Sequence, residues 1–337
     1  LKRTMYSSNS GLSLGLAAHA AFDPRPLPKE QDPRWRSDLR KTRSGTGRLA
    51  RGVRARMGLL AGARHKDIAV MEEYFSDKVV WVTGASAGFG EALCIALCQA
   101  ARPGGLILSA RRQDELERVR SRCLTLSPDL RTEVLPLDLS DIGRLQSAAE
   151  QAKSLFGRVD VLVNNGGVGF RGLGHETSIE TDQHVMNVDF FSGVVLLKAL
   201  LPDWLQRQSG HVVQISSVQG FFGLPGRTAY AAAKHAAVGF YDSLRAEVAD
   251  NGIAVTTVCP GYIATEHGRN AARSRGVEQV GVEVKGVAPD VLAPKVLAAI
   301  ARRKAELVPA ALNARAARLL RTLFPSLFFS IMRRSKL

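Results

Sequence analysis

From Lys78 onward the chain alternates short runs of β-branched and other apolar residues with longer stretches whose apolar positions recur every three or four residues. The short runs predict strands at 79–83, 106–110, 133–137, 159–163, 211–215 and 253–258. The longer ones predict helices at 90–99, 114–126, 142–156, 182–206, 230–249 and 290–303. Each parallel return in a sheet needs a crossover, which a helix supplies. The alternation therefore predicts an α/β architecture, a doubly wound parallel sheet of about seven strands with helices on both faces. No segment repeats at a period of ~20 to 50 residues, which excludes a solenoid or propeller. In such a sheet ligands bind beyond the carboxyl ends of the strands, so the residues after each strand carry the functional question.

Composition changes this picture only at the ends. The formal charge of +15, spread over a fold, would point to nucleic acid or an anionic surface. Residues 1–66 hold 15 Lys and Arg against four acids, a net +11 that leaves +4 for the remainder. The folded part is nearly balanced, and no nucleic-acid role is expected of it. Residues 1–70, rich in Ser, Gly and Pro without apolar periodicity, read as a basic disordered leader. Their Arg-rich, acid-poor balance is also that of a mitochondrial transit segment. The chain opens on Leu1, with Met71 or Met57 as competing starts, so the leader is expected to be in part a gene-model artefact.

No apolar run reaches the ~18 residues that span a bilayer. The segment 322–332 is expected to form a helix covering the core, with a membrane-surface element as the competing reading. Cys94, Cys98, Cys123 and Cys259 show neither metal spacing nor a disulfide framework, so no metal is expected and a reducing compartment fits.

After the first strand comes TGASAGFG, residues 83–90. Gly84, Gly88 and Gly90 let the backbone turn sharply and approach a pyrophosphate, while the following helix offers its N-terminal N–H groups to the anion. Any tight strand-to-helix turn also takes glycine, but a glycine cluster between a first strand and a helix is the context dinucleotide binding requires. After the second strand, LSARRQDE places Ala110 where an acid would accept from a ribose 2′-hydroxyl. Arg111 and Arg112 follow and would neutralise a 2′-phosphate, so the pattern predicts NADP(H).

The Gly-x-x-x-Gly-x-Gly spacing, LDLS after the third strand and NNGG after the fourth resemble the short-chain dehydrogenase/reductase superfamily over about residues 75–332. The resemblance implies a single Rossmann-type cofactor domain at 71–325 with a tail at 326–337. It implies that Thr83, Gly84, Ser86, Gly88, Phe89 and Gly90 form the cofactor loop, Ser86 facing the 2′-phosphate. Asp138 with Leu139 then meets the adenine, and Asn164 and Asn165 brace the sheet and the cofactor, with Gly166 in place of the family's alanine. In PGYIATE, Pro260, Gly261, Ile263 and Thr265 meet the nicotinamide carboxamide and the phosphate.

ISSVQG ends the fifth strand, and YAAAK opens a helix. Tyr230 and Lys234, four residues apart, share a helix face, so the ammonium can act on the phenol. Alone, the pair would suit an exposed surface. Ser217, 13 residues before Tyr230, matches the spacing of the family's catalytic serine and tyrosine, so the resemblance implies a Ser217, Tyr230 and Lys234 set. A phenol titrates near ~10, and bringing it to neutrality requires about 4 kcal/mol of preferential phenolate stabilisation. Lys234 and a positive nicotinamide ring are expected to supply it. Ser217 would donate to the carbonyl oxygen while Tyr230 protonates it and NADPH delivers hydride. The family's relay asparagine falls on Asp189, nine residues before Lys198, whereas Asn187 is turned ~200° away along a helix and reads as structural. A carboxylate at that place adds negative charge near Lys234, and slower turnover is expected.

The expected activity is NADP(H)-dependent reduction of a carbonyl, or oxidation of the matching alcohol. A catalytically weak NADP(H)-binding regulator or scaffold is the competing reading. KALLPDWLQRQSGHVVQISSVQG, YAAAKHAAVGFYDSLRAEV and PSLFFSIM resemble the dehydrogenase/reductase member-seven branch. That implies a small, lipid-like substrate, such as an acyl- or alkyl-glycerone phosphate or a retinoid or steroid carbonyl, and a homodimer through helices 182–206 and 230–249. Residues 266–289, Gly- and Arg-rich, are expected to form a substrate lid. The terminal Ser335-Lys336-Leu337, preceded by Arg333 and Arg334, reads as an address for the peroxisomal import receptor. A peroxisomal location is expected ahead of a mitochondrial or endoplasmic-reticulum-associated one.

Overall fold

The strands are β1 (Val79–Thr83), β2 (Gly105–Ser109), β3 (Thr132–Val134), β4 (Val161–Asn164), β5 (Phe170–Arg171), β6 (Gly210–Ile215), β7 (Ile253–Val258), β8 (Ala272–Arg273) and β9 (Glu306–Leu307), with Val, Ile and Leu clustered in β1, β2, β4, β6 and β7. The computed structural model describes residues 65–265, 272–273 and 286–334, the side chains of 272–273 apart. The leader up to residue 64, most of the expected lid and the terminal Ser335-Lys336-Leu337 lie outside the described residues.

Seven strands make one sheet in the order β3-β2-β1-β4-β6-β7-β9, every pairing parallel. β1 and β2 are buried along their whole length, as a sheet covered on both faces demands. The strand order reverses between β1 and β4, which opens a crevice beyond their carboxyl ends. A separate pair, β5 with β8, stands beside it.

The helices are α1 (His65–Phe75), α2 (Gly88–Ala96), α3 (Gln113–Leu126), α4 (Ile142–Phe156), α5 (Ile179–Met186), α6 (Ser192–Arg207), α7 (Thr228–Glu247), α8 (Pro289–Ala301), α9 (Leu312–Leu323) and α10 (Pro325–Arg334). On one face of the sheet α1, α2, α3 and α8 bury residues such as Phe75, Leu93, Val119 and Val296. On the other, α4, α6 and α7 bury Leu145, Leu197, Trp204 and Tyr241.

The structure departs from the sequence reading in five places. First, the seventh strand, β9, has no apolar run to announce it. It exists because Thr257 N donates to Ala305 O (2.9 Å) and Cys259 N to Leu307 O (2.8 Å). Second, β3 ends at Val134, ahead of Pro136, which lacks an N–H for the ladder. Third, α1 begins inside the stretch assigned to the leader. Ile68 is fully buried, and Asp67 pairs with Arg302 at 2.7 Å.

Fourth, the expected helix at 182–206 starts earlier, at Ile179, and carries within it a π-helical turn, Asn187–Phe191, where α5 passes into α6. By length and composition alone the stretch Ile179–Arg207 could cross a membrane, against the expectation that no run is long enough. Half of its most apolar window is buried, as in a core helix. Fifth, the expected core-covering role of 322–332 reduces to one side chain. α9 buries none, and α10 buries only Phe328.

Candidate active site

The loop between β1 and α2 is built on backbone that a side chain would obstruct. Gly84 (φ +67°) and Gly88 (φ +60°) are left-handed, a conformation that favours glycine. A Cβ on Gly84 would stand 2.7 Å from Gly166 Cα, and one on Gly90 would run into the Gly84 carbonyl oxygen. The Thr83 hydroxyl accepts from Asn165 N (3.1 Å) and Gly166 N (3.0 Å), and Asn165 Nδ2 donates to Thr83 O (2.9 Å). These bonds tie the ends of β1 and β4 together at the switch point. Asn164 Nδ2 donates to Gly193 O (3.2 Å) and Tyr241 Oη (3.0 Å), bracing β4 against α6 and α7.

Ala87 occupies the N-cap of α2 and offers no side-chain acceptor, so the first-turn N–H groups are left for another anion. A turn that brings Gly84, Gly88 and Gly90 together ahead of an uncapped helix fits the pyrophosphate of a dinucleotide. Phe89 and Ser86 are buried beside it, and the Ser86 carbonyl accepts from Arg118 Nη2 (3.2 Å). Gly166, where the family has alanine, faces the end of the Leu139 side chain, which fills the place of a Cβ.

Beyond β2, Arg111 and Arg112 are exposed, and neither guanidinium makes an ion pair or hydrogen bond among the described residues. The Asp138 carboxylate accepts from Ser140 N (2.9 Å) and Ser140 Oγ (2.8 Å). Against its partial burial, these bonds and the Arg111 charge hold it below the usual carboxylate range. On the far side, Pro260 O accepts from Val218 N (3.0 Å). Gly261 N reaches Pro309 O (3.4 Å), and Ile263 bridges to Val287. Thr265 stands 3.3 Å from where a Gly88 Cβ would be, which places the Pro-Gly segment against the glycine loop.

The chemistry-bearing side chains converge beyond β4 and β6. Ser217 caps the short 3-10 turn Val218–Gly220, its Oγ accepting from Gln219 N (3.2 Å). That leaves its own proton to donate, and Ser217 is among the groups that ease proton loss from the Tyr230 phenol. The neighbouring Ser216 points the other way, to Lys234 O (3.2 Å). Tyr230 is half-buried in the first turn of α7, and Lys234 Nζ stands 5.3 Å from its ring centre. Asp189, carried by the π-helical turn, lies 3.3 Å through Oδ2 from Lys234 Nζ, while its Oδ1 accepts from Val168 N (2.6 Å).

Burial pushes the Tyr230 phenol above its ordinary value. Lys234, Ser217 and Arg227 oppose this, and Asp189 adds to it. Burial alone would lower the Lys234 ammonium, but Asp189 and Tyr230 hold it above its usual range, so it stays charged. The expectation of a phenol drawn down by a neighbouring cation is therefore not met by these side chains alone. Burial is the larger cause, and Asp189 offsets part of the lysine's field.

Sequence reading passed over Arg227. Its Nη1 donates to Phe170 O (2.7 Å), and its backbone bridges to Gly172, next to Arg171. Burial and the Arg171 charge lower its affinity for a proton, yet its field still reaches Tyr230. The signal available was an arginine three residues before the tyrosine, at the residue that caps the start of its helix.

The family model for short chain dehydrogenase matches residues 78–276. A dehydrogenase/reductase SDR family protein 7-like of Anopheles gambiae is 43% identical over 271 residues, 77% of this chain and 84% of that protein. Dehydrogenase/reductase SDR family member 7B of Bos taurus is 40% identical over 270 residues, 78% of this chain and 82% of that protein. Among solved structures, a short-chain dehydrogenase from Streptomyces avermitilis superposes with a TM-score of 0.65 at 32% identity, covering 77% of this chain and 99% of its own.

Proposed function

Because the chain belongs to the short-chain dehydrogenase family, and so to the NAD(P)-dependent oxidoreductases, we propose that it reduces a carbonyl on a small, lipid-like substrate with NADPH, or oxidises the matching alcohol. The observation that carries this reading is the meeting of Ser217, Tyr230 and Lys234 near a loop whose Gly84 and Gly90 have no room for a Cβ.

The bound dinucleotide supplies or accepts the hydride. Gly84, Gly88, Gly90 and the first turn of α2 would hold its pyrophosphate, and Asp138, Leu139, Asn165 and Gly166 would line its adenine and ribose. Pro260, Gly261, Ile263 and Thr265 would meet its nicotinamide end. The preference for NADP(H) is supported by Arg111 and Arg112, which are exposed and make no ion pair or hydrogen bond among the described residues, so their guanidiniums are available to a 2′-phosphate.

Ser217 Oγ, already accepting from Gln219 N, turns its proton to the substrate oxygen and stabilises the charge that develops there. Tyr230 gives its proton to that oxygen in reduction and takes it back in oxidation. A phenol held above its ordinary value is protonated at neutral pH, which favours it as the acid in carbonyl reduction. Lys234 keeps a cation beside that phenol, and Asp189 fixes the ammonium while weakening its field.

Turnover of a ketone and aldehyde panel by the full chain, followed as NADPH oxidation, tests this reading. Tyr230→Phe is expected to lower the rate by about 10²- to 10⁴-fold with NADPH affinity retained. NADPH binding without turnover by the unaltered chain would favour a scaffold or regulatory protein. Homodimer formation through α6 and α7 is supported by family likeness. Delivery to the peroxisome is supported by Ser335-Lys336-Leu337. A fluorescent protein carrying the last residues is expected in peroxisomes, and its staying in the cytosol would remove that assignment.

A further inference from the structure

α9 and α10 form a helical hairpin rooted at the rim of the candidate site. Arg318 stacks on Phe221, 3.7 Å from the ring centre, and pairs with Glu306 at 2.8 Å. Phe328 packs on Phe222, with ring centres 5.8 Å apart. Both phenylalanines follow the turn that Ser217 caps, and Pro309 at the hairpin's base accepts from Gly261 N of the cofactor segment.

With Arg318 turned to the protein, the opposite stripe of α9 faces solvent. Leu312, Leu319 and Leu323 recur at helical spacing and are 81%, 61% and 64% exposed. Phe324 and Leu327 continue the apolar surface at 59% and 53%. Scattered exposed leucines are ordinary, but five large apolar side chains within 16 residues are not. Arg315, Arg321, Arg333 and Arg334 flank them, and no Asp or Glu follows Glu306 in the chain.

The charge decides what covers this surface. A second copy seated on it by two-fold symmetry would bring one set of arginines against another with no carboxylate to separate them. An anionic lipid surface offers acyl chains for the leucines and phosphates or carboxylates for the guanidiniums. We infer that the α9–α10 hairpin lies in the headgroup region of an anionic bilayer, its apolar stripe at the acyl boundary and its arginines on lipid headgroups. The rim of the candidate site then faces the membrane, and an apolar substrate enters from the lipid phase without crossing water.

Co-sedimentation of the purified full chain with vesicles tests this, using phosphatidylcholine alone and phosphatidylcholine with about 30% phosphatidylserine. Binding is expected with the anionic vesicles and is expected to weaken as salt rises. Leu319→Glu with Leu323→Glu is expected to lower the partition coefficient at least tenfold, from the apolar area lost. Both sites are exposed and glutamate is a good helix former, so the circular dichroism spectrum and turnover of a water-soluble ketone should not change. Arg315→Gln with Arg333→Gln, which leaves the apolar stripe intact, should reduce the preference for anionic vesicles. Absence of sedimentation with either vesicle overturns the inference. So does binding that survives the leucine variants, or a dimer that they dissolve with no vesicle binding present.

Discussion

The Asp189 carboxylate lies 3.3 Å from the Lys234 ammonium, and both side chains are closed off from solvent. The pair fixes the lysine in place but sets a negative charge beside the phenol that the lysine serves. Asp189→Asn keeps the shape of the side chain and removes that charge. The Tyr230 phenol should then titrate at lower pH, because Asp189 is one of the groups that raise it. The limb of the pH profile for alcohol oxidation that rises with pH should move to lower pH. The neutral-pH rate should rise about tenfold, the equivalent of ~1.4 kcal/mol. An unmoved limb would show that the carboxylate does not act on the phenol.

Arg111 and Arg112 lie exposed beyond β2 with no ion pair or hydrogen bond among the described residues. If they receive the 2′-phosphate, Arg111→Ser with Arg112→Ser should raise the KM for NADPH about 10- to 100-fold, in keeping with ~1.5–3 kcal/mol for a charge-assisted hydrogen bond. The KM for NADH should barely move. Equal losses for the two cofactors would count against the assignment.

Gly90→Ala puts a Cβ where the Gly84 carbonyl oxygen and Asn165 Nδ2 already sit. The obstacle is backbone, which cannot swing aside as a flexible side chain would. The variant should lose roughly 2 kcal/mol of stability and bind dinucleotide more weakly. Urea unfolding and cofactor fluorescence titration measure the two effects separately.

His211 is buried in β6, with Nδ1 2.7 Å from Tyr74 Oη of α1 and Nε2 2.8 Å from Thr256 Oγ1 of β7. Burial, and then the Arg303 and Lys78 charges, push its pKa from 6.5 down to about 3. The unfolded chain binds this proton over that window and the folded one does not, so stability falls as pH drops below about 6.5. The cost is about 1.4 kcal/mol per pH unit until the folded value is reached. His211→Gln should flatten the fall between pH 6.5 and 5 in urea unfolding, and a slope unchanged from the parent would assign it to other groups.

The architecture was legible in the sequence because alternating apolar runs and helical stretches leave little choice but a parallel sheet. The site was legible because Thr83 to Gly90, Asn164, Asn165, Ser217, Tyr230 and Lys234 are local motifs placed at strand and helix ends. α1 was missed since its apolar residues Ile68, Met71 and Phe75 follow a basic, pattern-free stretch. β9 was missed since two residues carry no periodicity.

By itself, then, the sequence determined which residues could turn, donate and titrate, and in what order along the chain they would meet the crevice. Only the tertiary structure decided how their charges combine. It brings Asp189 and Lys234, 45 residues apart, into one dry contact, and it leaves Leu312, Arg315, Leu319 and Leu323 of α9 facing outward rather than into the core. Electrostatic fields and burial depend on distances through space, which helical and strand periodicity cannot supply.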